Sequence, residues 1–160
     1  MDTNSHYVIA TAILVKDGKY LIAKRAAHER TFPNVWTVPG GKLDFDDYSK
    51  KPMDTSIHWY NLMEDLVKRE VEEEVGLKVN KIKYLTSMAF VRKGSIPTVI
   101  MSFYVDDHKG EIKLCEDMSD HAWVTLEEAK SYDLIEGIFE ELEMLDKHLK
   151  GDHLREWKKI

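Results

Sequence analysis

Residues 68–77 read KREVEEEVGL, with four glutamates in five positions before a glycine. Successive residues of an α-helix advance by about 100°, so Glu70 and Glu74 lie on the same line as Met63 and Val67. An apolar line is the side that a helix buries, and these two acids are therefore predicted to be partly buried. Burying neighbouring carboxylates costs several kcal/mol unless cations compensate. The stretch thus favours a helix that holds a divalent metal ion, with an ordinary charged surface as the alternative.

The acids on the other side of this helix are expected to behave differently. Glu72 lies with Asp65 and Lys68 on the side opposite the apolar line, so Glu72 is the glutamate predicted to face water. Gly76 stands where a C-cap glycine would end the helix. The helical spacing of apolar residues begins near Asp54, which predicts a helix from about 54 to 75.

Strand patterns occupy most of the remaining chain. Residues 46–56 are polar and are interpreted as a loop, and turns are expected at Asp17-Gly18 and Lys93-Gly94. Strands are predicted at residues 7–15, 20–25, 35–38, 81–91 and 98–105, and at Trp123.

Two sequence patterns typical of capping boxes lie near the end of the chain. Thr125 is followed by Glu128, and Asp133 is followed by Glu136, so a helix is predicted to begin after each. The second helix is expected to stop at Gly151. Its apolar stripe is interpreted as core packing and consists of Leu134, Ile138, Leu142, Leu145 and Leu149.

Length and composition favour one globular domain over residues 1–160. The chain has 43% apolar residues and a formal charge of −6, which gives no basic footprint for a nucleic-acid polymer. No apolar run reaches the length of a membrane span, and no leader pattern opens the chain. Cys115 is the single cysteine, so no internal disulfide forms. We therefore expect a soluble protein of the cytoplasm.

The residues before the acidic helix extend the pattern. Gly41, followed by REVEEEVGL at 69–77, resembles the signature of the Nudix hydrolases, G-x5-E-x7-R-E-U-x-E-E-x-G-U with U apolar. The second half of this Nudix box matches at every specified position. The first half is about 14 residues too long, and Asp47 stands where the first glutamate is expected. An insertion within the box is therefore placed at about 48–61.

The resemblance implies an α/β fold, an α/β/α sandwich with a mixed β-sheet. It also implies hydrolysis of a pyrophosphate bond in a compound linked to a nucleoside diphosphate, with Mg²⁺ or Mn²⁺ as cofactor. Carried over by position, Glu70, Glu73 and Glu74 would bind the metal, with the carbonyl of Gly40 as a further ligand. Arg69 would orient the acids by ion pairing.

The resemblance also implies a general base, which family members take from the acidic helix or from a later loop. Glu116 is the first choice among the later acids, with Asp117 and Asp120 as rivals. The alternative is that all three are ordinary loop acids.

The substrate is less well defined by the sequence. Residues expected to bind it are Arg25, Arg30, Trp36 and Lys42, with Lys24, Tyr7 and Phe32 as further cationic or stacking candidates. A nucleoside triphosphate, oxidised forms included, is the first expectation. The alternatives are an ADP-ribose or nucleotide-sugar pyrophosphatase and a non-catalytic nucleotide-binding domain. An isoprenoid diphosphate isomerase of the same fold is disfavoured, because Cys115 follows the box instead of preceding it.

The insertion is too apolar for a fully solvated loop. It contains Ile57, Trp59, Tyr60 and Leu62, and we expect it to pack over the domain as a lid or against a second subunit of a homodimer. No membrane partner is expected.

Overall fold

A computed structural model describes residues 5–91, 96–154 and 156–158. Its centre is a mixed seven-stranded sheet in which strands run in the order β3-β2-β1-β7-β6, with β4 pairing with β1 and β9 with β2. A second sheet pairs β5 with β8. The strands are β1 (Tyr7–Lys16), β2 (Lys19–Arg25), β3 (Trp36–Thr37), β4 (Gly40–Lys42), β5 (Lys78–Asn80), β6 (Lys83–Phe90), β7 (Thr98–Val105), β8 (Asp107–Lys109) and β9 (Met118–Val124).

Helices cover both faces of the sheet, which is the predicted α/β sandwich. Val67 and Val71 of α2 pack with Ala10 and Ala12 on one face. On the other face, residues of α3 and α4 pack in a separate core with Ile13. The helices are α1 (Asp46–Ser49), α2 (Leu62–Val75), α3 (Leu126–Ala129) and α4 (Ile138–Leu149).

Most predicted strands are confirmed. Asp17 and Gly18, with φ of 51° and 71°, make the turn that joins β1 to β2. β1 and β7 lie side by side in parallel, and β9 contains the strand expected at Trp123. The turn predicted at Lys93-Gly94 lies outside the described residues.

The predicted start of the acidic helix is wrong. α2 begins at Leu62 instead of Asp54, because Asn61 takes a left-handed φ of 56° immediately before it. Residues 54–60 form compact turns in which the Thr55 hydroxyl accepts from the amide of His58 at 3.1 Å. The predicted loop at 46–56 is also partly wrong, since its first residues form α1. The end is as predicted, with left-handed Gly76 as C-cap.

One of the two capping boxes is confirmed. The Thr125 side chain accepts from the amide of Glu128, and the Glu128 side chain accepts from the amide of Thr125, so the two residues cap the start of α3. The box at Asp133 is wrong, because the carbonyl of Asp133 accepts from Trp36 at 2.8 Å and Leu134 bridges to Trp36. These backbone bonds hold the segment in extended form, and α4 begins four residues later at Ile138.

Three short strands were missed. β4 begins at Gly40, just after the strand predicted at residues 35–38, and it pairs with Ile9, Ala10 and Thr11 of β1. β5 and β8 pair with each other alone. None of the helices in the described part of the chain is long and apolar enough to cross a membrane. The single domain over 1–160 stays a prediction.

Candidate active site

The acids of α2 divide between a buried and an exposed side. The side chain of Glu70 is 12% exposed, and Glu74 is half-buried, as the helical line predicts. Glu72 faces water with a side chain 57% exposed. Glu73 is exposed to the same degree, at 58%. Glu72 is therefore not the only acid of the helix that faces solvent.

Arg69 gathers three carboxylates around one guanidinium group. Its Nη2 lies 2.8 Å from Oε1 of Glu70 and 3.2 Å from Oδ1 of Asp47, and its Nη1 donates to Glu73 at 2.9 Å. Burial acts to lower the pKa of Arg69, but the three negative charges outweigh it and raise the pKa. Arg69 is therefore fully charged and fixes the directions in which these acids point.

Asp47 reaches this cluster from the other side of the insertion. Its carboxylate accepts from the amide of Asp44 at 2.8 Å, so it is held both by its own turn and by Arg69. Its side chain is 18% exposed. The structure thus brings Asp47 into contact with Arg69 of the box helix, and its role as the first glutamate of the signature stays a prediction.

The glycines of β4 pack directly against the acids of α2. The amide of Gly40 donates to Oε2 of Glu74 at 2.9 Å. A Cβ atom on Gly41 would overlap the carboxylate of Glu70. These contacts require a backbone without side chains, which is why two glycines stand here.

Burial makes Glu74 an unusual carboxyl group. Burial raises its pKa to about 8, the charge of Glu70 adds to this, and the hydrogen bond from Gly40 opposes it. The pKa of Glu70 is also raised by burial, although Arg69 opposes the shift. Because the local cations do not offset the negative charge, a divalent cation with oxygen ligands fits this donor set.

A second group of ionisable residues lies beside Glu74. Nε2 of His28 and Oδ1 of Asp117 are 3.1 Å apart, and Glu29 places a carboxylate oxygen within 4.8 Å of both. Glu29 is ion-paired with Arg25. The charge of Asp117 raises the pKa of Glu74 and that of Arg25 lowers it, which shows that both act on the box.

His28 and Glu29 were not found by sequence reasoning. The amide of Ala26 donates to the carbonyl of Asp117 at 2.8 Å, where β2 ends beside the start of β9. This pairing joins segments about 90 residues apart, and no local pattern in the sequence indicates it.

The other predicted site residues have varied positions. Glu116 and Asp120 are exposed, and Asp120 of β9 lies opposite Lys24 in the register with β2. Arg30 is exposed as well. Lys42 forms an ion pair with Asp44 at 3.2 Å.

The aromatic candidates are partly engaged elsewhere. Trp36 is half-buried and packs edge-on against Tyr132, with ring centroids 4.8 Å apart. Tyr7 lies beneath the ammonium group of Lys42, and Phe32 is 44% exposed. Of the predicted substrate residues, Arg25 is the one whose charge acts on the box acids.

The model of the NUDIX domain family matches residues 54–145, more than half of the chain. The chain belongs to this family. The matched region includes all of α2 and begins after Gly40, Gly41 and Asp47, so their link to the Nudix box rests on the contacts described above.

Similar proteins agree with this assignment. The nucleoside triphosphatase NudI of Klebsiella pneumoniae is 26% identical over 137 residues, which cover 79% of this chain and 86% of that protein. The structure of a MutT NUDIX hydrolase from Burkholderia pseudomallei has a TM-score of 0.70 at 23% identity and covers 88% of this chain and 98% of its own. The solution structure of E. coli ORF135 has a TM-score of 0.70 at 22% identity, with coverages of 95% and 99%.

The structural neighbours establish the Nudix fold. Together with the family match and the relative named as a triphosphatase, they identify the chain as an enzyme of the pyrophosphohydrolase class.

Proposed function

We propose that this Nudix enzyme hydrolyses a nucleoside triphosphate and requires Mg²⁺ or Mn²⁺ bound by Glu70, Glu73 and Glu74, with the carbonyl of Gly40 as a further ligand. The observation that carries the metal site is the half-buried carboxyl of Glu74, whose pKa is raised to about 8 beside a second acid. The similarity to NudI, named a nucleoside triphosphatase, supports the substrate class.

A divalent metal would neutralise the phosphates and lower the pKa of the attacking water. The chain itself orients the acids. Arg69 fixes Glu70 and Glu73 by ion pairs, and the amide of Gly40 fixes one oxygen of Glu74.

Hydrolysis needs an acceptor for one proton. When the water oxygen bonds to a phosphorus atom, the bridging P–O bond of the anhydride breaks and the water loses a proton. We assign this proton first to Asp117, which lies by Glu74 and is hydrogen-bonded to His28. Glu116 remains the second candidate. The variants Asp117→Asn and Glu116→Gln separate them, since loss of the base lowers kcat by about a hundredfold or more.

The test compares two adjacent glutamates on α2. Glu73→Gln removes a proposed ligand, whereas Glu72→Gln is a matched control because Glu72 is equally exposed and pairs with Lys78 at 3.7 Å. Phosphate and pyrophosphate release are measured with nucleoside triphosphates, ADP-ribose, nucleotide sugars and dinucleoside polyphosphates, with each metal. We expect triphosphate turnover that requires metal, falls at least tenfold in Glu73→Gln and is unchanged in Glu72→Gln.

Other outcomes would replace the proposal. Turnover confined to ADP-ribose or nucleotide sugars would reassign the substrate. No turnover, with a melting temperature that still rises on adding Mg²⁺ or Mn²⁺, would indicate a non-catalytic nucleotide-binding domain.

A further inference from the structure

Asp117, the first candidate for the base, has a fixed backbone and an exposed side chain. Its carbonyl accepts from the amide of Ala26 at 2.8 Å, and its amide donates to the sulfur of Cys115. The amide of Cys115 donates to the carbonyl of Glu74 at 3.1 Å, which ties this segment to the end of α2. The side chain of Asp117 is nevertheless 54% exposed. Because packing does not fix the direction of its carboxylate, a hydrogen bond is needed to hold it.

His28 supplies that hydrogen bond. Its Nε2 lies 3.1 Å from Oδ1 of Asp117. A base must be ionised, and an ionised carboxylate only accepts hydrogen bonds, so Nε2 of His28 carries the hydrogen. A bond to Oδ1 leaves the lone pairs of the second oxygen, Oδ2, for the attacking water.

The loop between β2 and β3 holds His28 in this position. The amide of Glu29 donates to the carbonyl of Ala26 at 3.2 Å and closes a turn that contains His28. The guanidinium group of Arg25 is ion-paired with Glu29 and donates through Nε to the carbonyl of Thr31 at 2.9 Å. The imidazole itself is 61% exposed, so it adds little to stability by burial. Its loss should therefore change the orientation of Asp117 more than the stability of the protein.

We propose that His28 is a positioning residue for hydrolysis: its N–H holds Asp117 in the orientation in which Oδ2 takes the proton of the attacking water. This inference rests on the proposed function, in which Asp117 is the first candidate for the base. In this role His28 acts through Asp117 and binds neither substrate nor metal. Its removal should therefore lower kcat and leave KM unchanged.

A metal site is the competing explanation for the position of His28. His28, Glu29 and Asp117 place ligand atoms within 4.8 Å of one another. The carboxylate of Glu29 is already paired with Arg25, however, and this pair puts a positive charge beside the cluster. A guanidinium group repels a second cation, which favours the positioning role.

A double-mutant cycle tests whether His28 acts through Asp117. We measure kcat and KM for the native protein, His28→Ala, Asp117→Asn and the double variant, with the substrate of the panel that is hydrolysed fastest. We expect His28→Ala to lower kcat by about tenfold with KM within about twofold of the native value. In the Asp117→Asn background the same replacement should change kcat by less than about twofold, because the base is already lost.

A conservative replacement gives a second readout. The side-chain N–H of glutamine can replace the donor at Nε2, so His28→Gln should restore kcat to within about threefold of the native value. His58→Ala is the matched control, because His58 is also exposed and its ring contacts the hydroxyl of Thr55 at 3.0 Å in the insertion. It should leave kcat unchanged.

An unchanged kcat in His28→Ala would overturn the inference, as would a loss that is equally large in the Asp117→Asn background. A higher KM with native kcat would make His28 a substrate ligand instead. A higher Mg²⁺ or Mn²⁺ concentration for half-maximal activity would make it a metal ligand.

The same measurements separate this inference from the proposed function. If Asp117→Asn has the native kcat, His28 has no base to position and the inference is wrong, while turnover by the native protein still supports the proposed hydrolysis. Absence of turnover with every substrate would reject both.

Discussion

The carboxylate of Asp47 lies 3.2 Å from the guanidinium of Arg69, although the insertion separates the two residues in sequence. Asp47 also accepts from the amide of Asp44, so the ion pair anchors α1 to the helix that bears Glu70, Glu73 and Glu74. An aspartate is one methylene shorter than the glutamate of the signature. The one-turn helix α1 carries this shorter side chain to within ion-pairing distance of Arg69.

Replacement of Asp47 by asparagine should loosen Arg69 and, through it, Glu70 and Glu73. Residues that orient metal ligands typically change affinity or activity by about 10- to 100-fold when replaced. We expect a fall of about tenfold in kcat/KM and a higher metal concentration for half-maximal activity. Asp46→Asn is the control, because the exposed carboxylate of Asp46 pairs with exposed Lys50 at 2.7 Å. Equal kcat/KM values for Asp47→Asn and Asp46→Asn would show that Asp47 has no role in the site.

A methyl group at Gly41 should damage the site more than the fold. The added Cβ meets the carboxylate of Glu70, a side chain that can turn away. We expect Gly41→Ala to lose at least a hundredfold in kcat/KM while the free energy of unfolding changes by about 1 kcal/mol or less.

Gly40→Ala provides the comparison for that prediction. Its Cβ would meet backbone atoms of β1, including Cα of Thr11 at 2.8 Å, which cannot move without breaking the pairing of β4 with β1. The free energy of unfolding should fall by about 1–3 kcal/mol. Urea denaturation and kinetics are measured on both variants. The prediction is wrong if Gly41→Ala is less stable than Gly40→Ala.

The sequence predicted the part of the site that is local in the chain. The burial of Glu70 and Glu74 followed from helical periodicity, because both belong to one continuous helix with Val67. The contact of Gly41 with Glu70 agrees with the resemblance to the Nudix box, which places the two together.

The wrong and missed predictions concern residues whose partners are distant in sequence. The helix expected after Asp133 is replaced by a bridge to Trp36, a residue that precedes it by almost a hundred positions. His28 meets Asp117 because β2 pairs with β9. Local propensity cannot anticipate either result, since tertiary hydrogen bonds decide both.

Glu141 is a buried acid in the first turn of α4, 4% exposed, and it gives the stability of the protein a pH dependence. Burial raises its pKa from the ordinary 4.5 to about 7 in the folded protein. The folded state thus holds the proton more tightly than the unfolded state, and stability falls as the pH rises from about 4.5 to 8. The shift corresponds to on the order of 3 kcal/mol.

Glu141→Gln should flatten this decline in metal-free protein. Glu74 also has a raised pKa and acts in the same direction, but it is present in both proteins and cancels in the difference. We expect the variant to gain stability relative to the native protein between pH 5 and 8, measured by urea denaturation. A constant difference across that range would show that Glu141 does not titrate there.

The insertion supports α1 through an aromatic contact. The rings of Trp59 and Tyr48 meet edge-on with centroids 5.3 Å apart, and the indole N–H donates to the carbonyl of Lys51 at 3.0 Å. Tyr48 is the neighbour of Asp47 in α1. Loss of the indole should therefore loosen α1 and shift Asp47 relative to Arg69. We expect Trp59→Ala to lower kcat/KM by about three- to tenfold.

Tyr60→Ala is the matched control for this last prediction. Tyr60 is 61% exposed, and the contact of its backbone amide with Asp54 survives the substitution. Kinetics and molecular mass in solution are measured for both variants. A lower kcat/KM in Trp59→Ala with unchanged mass would support packing of the insertion on its own chain. A native dimer that dissociates in Tyr60→Ala would instead place the insertion against a second copy, because an exposed aromatic side chain stabilises a dimer only when the partner covers it.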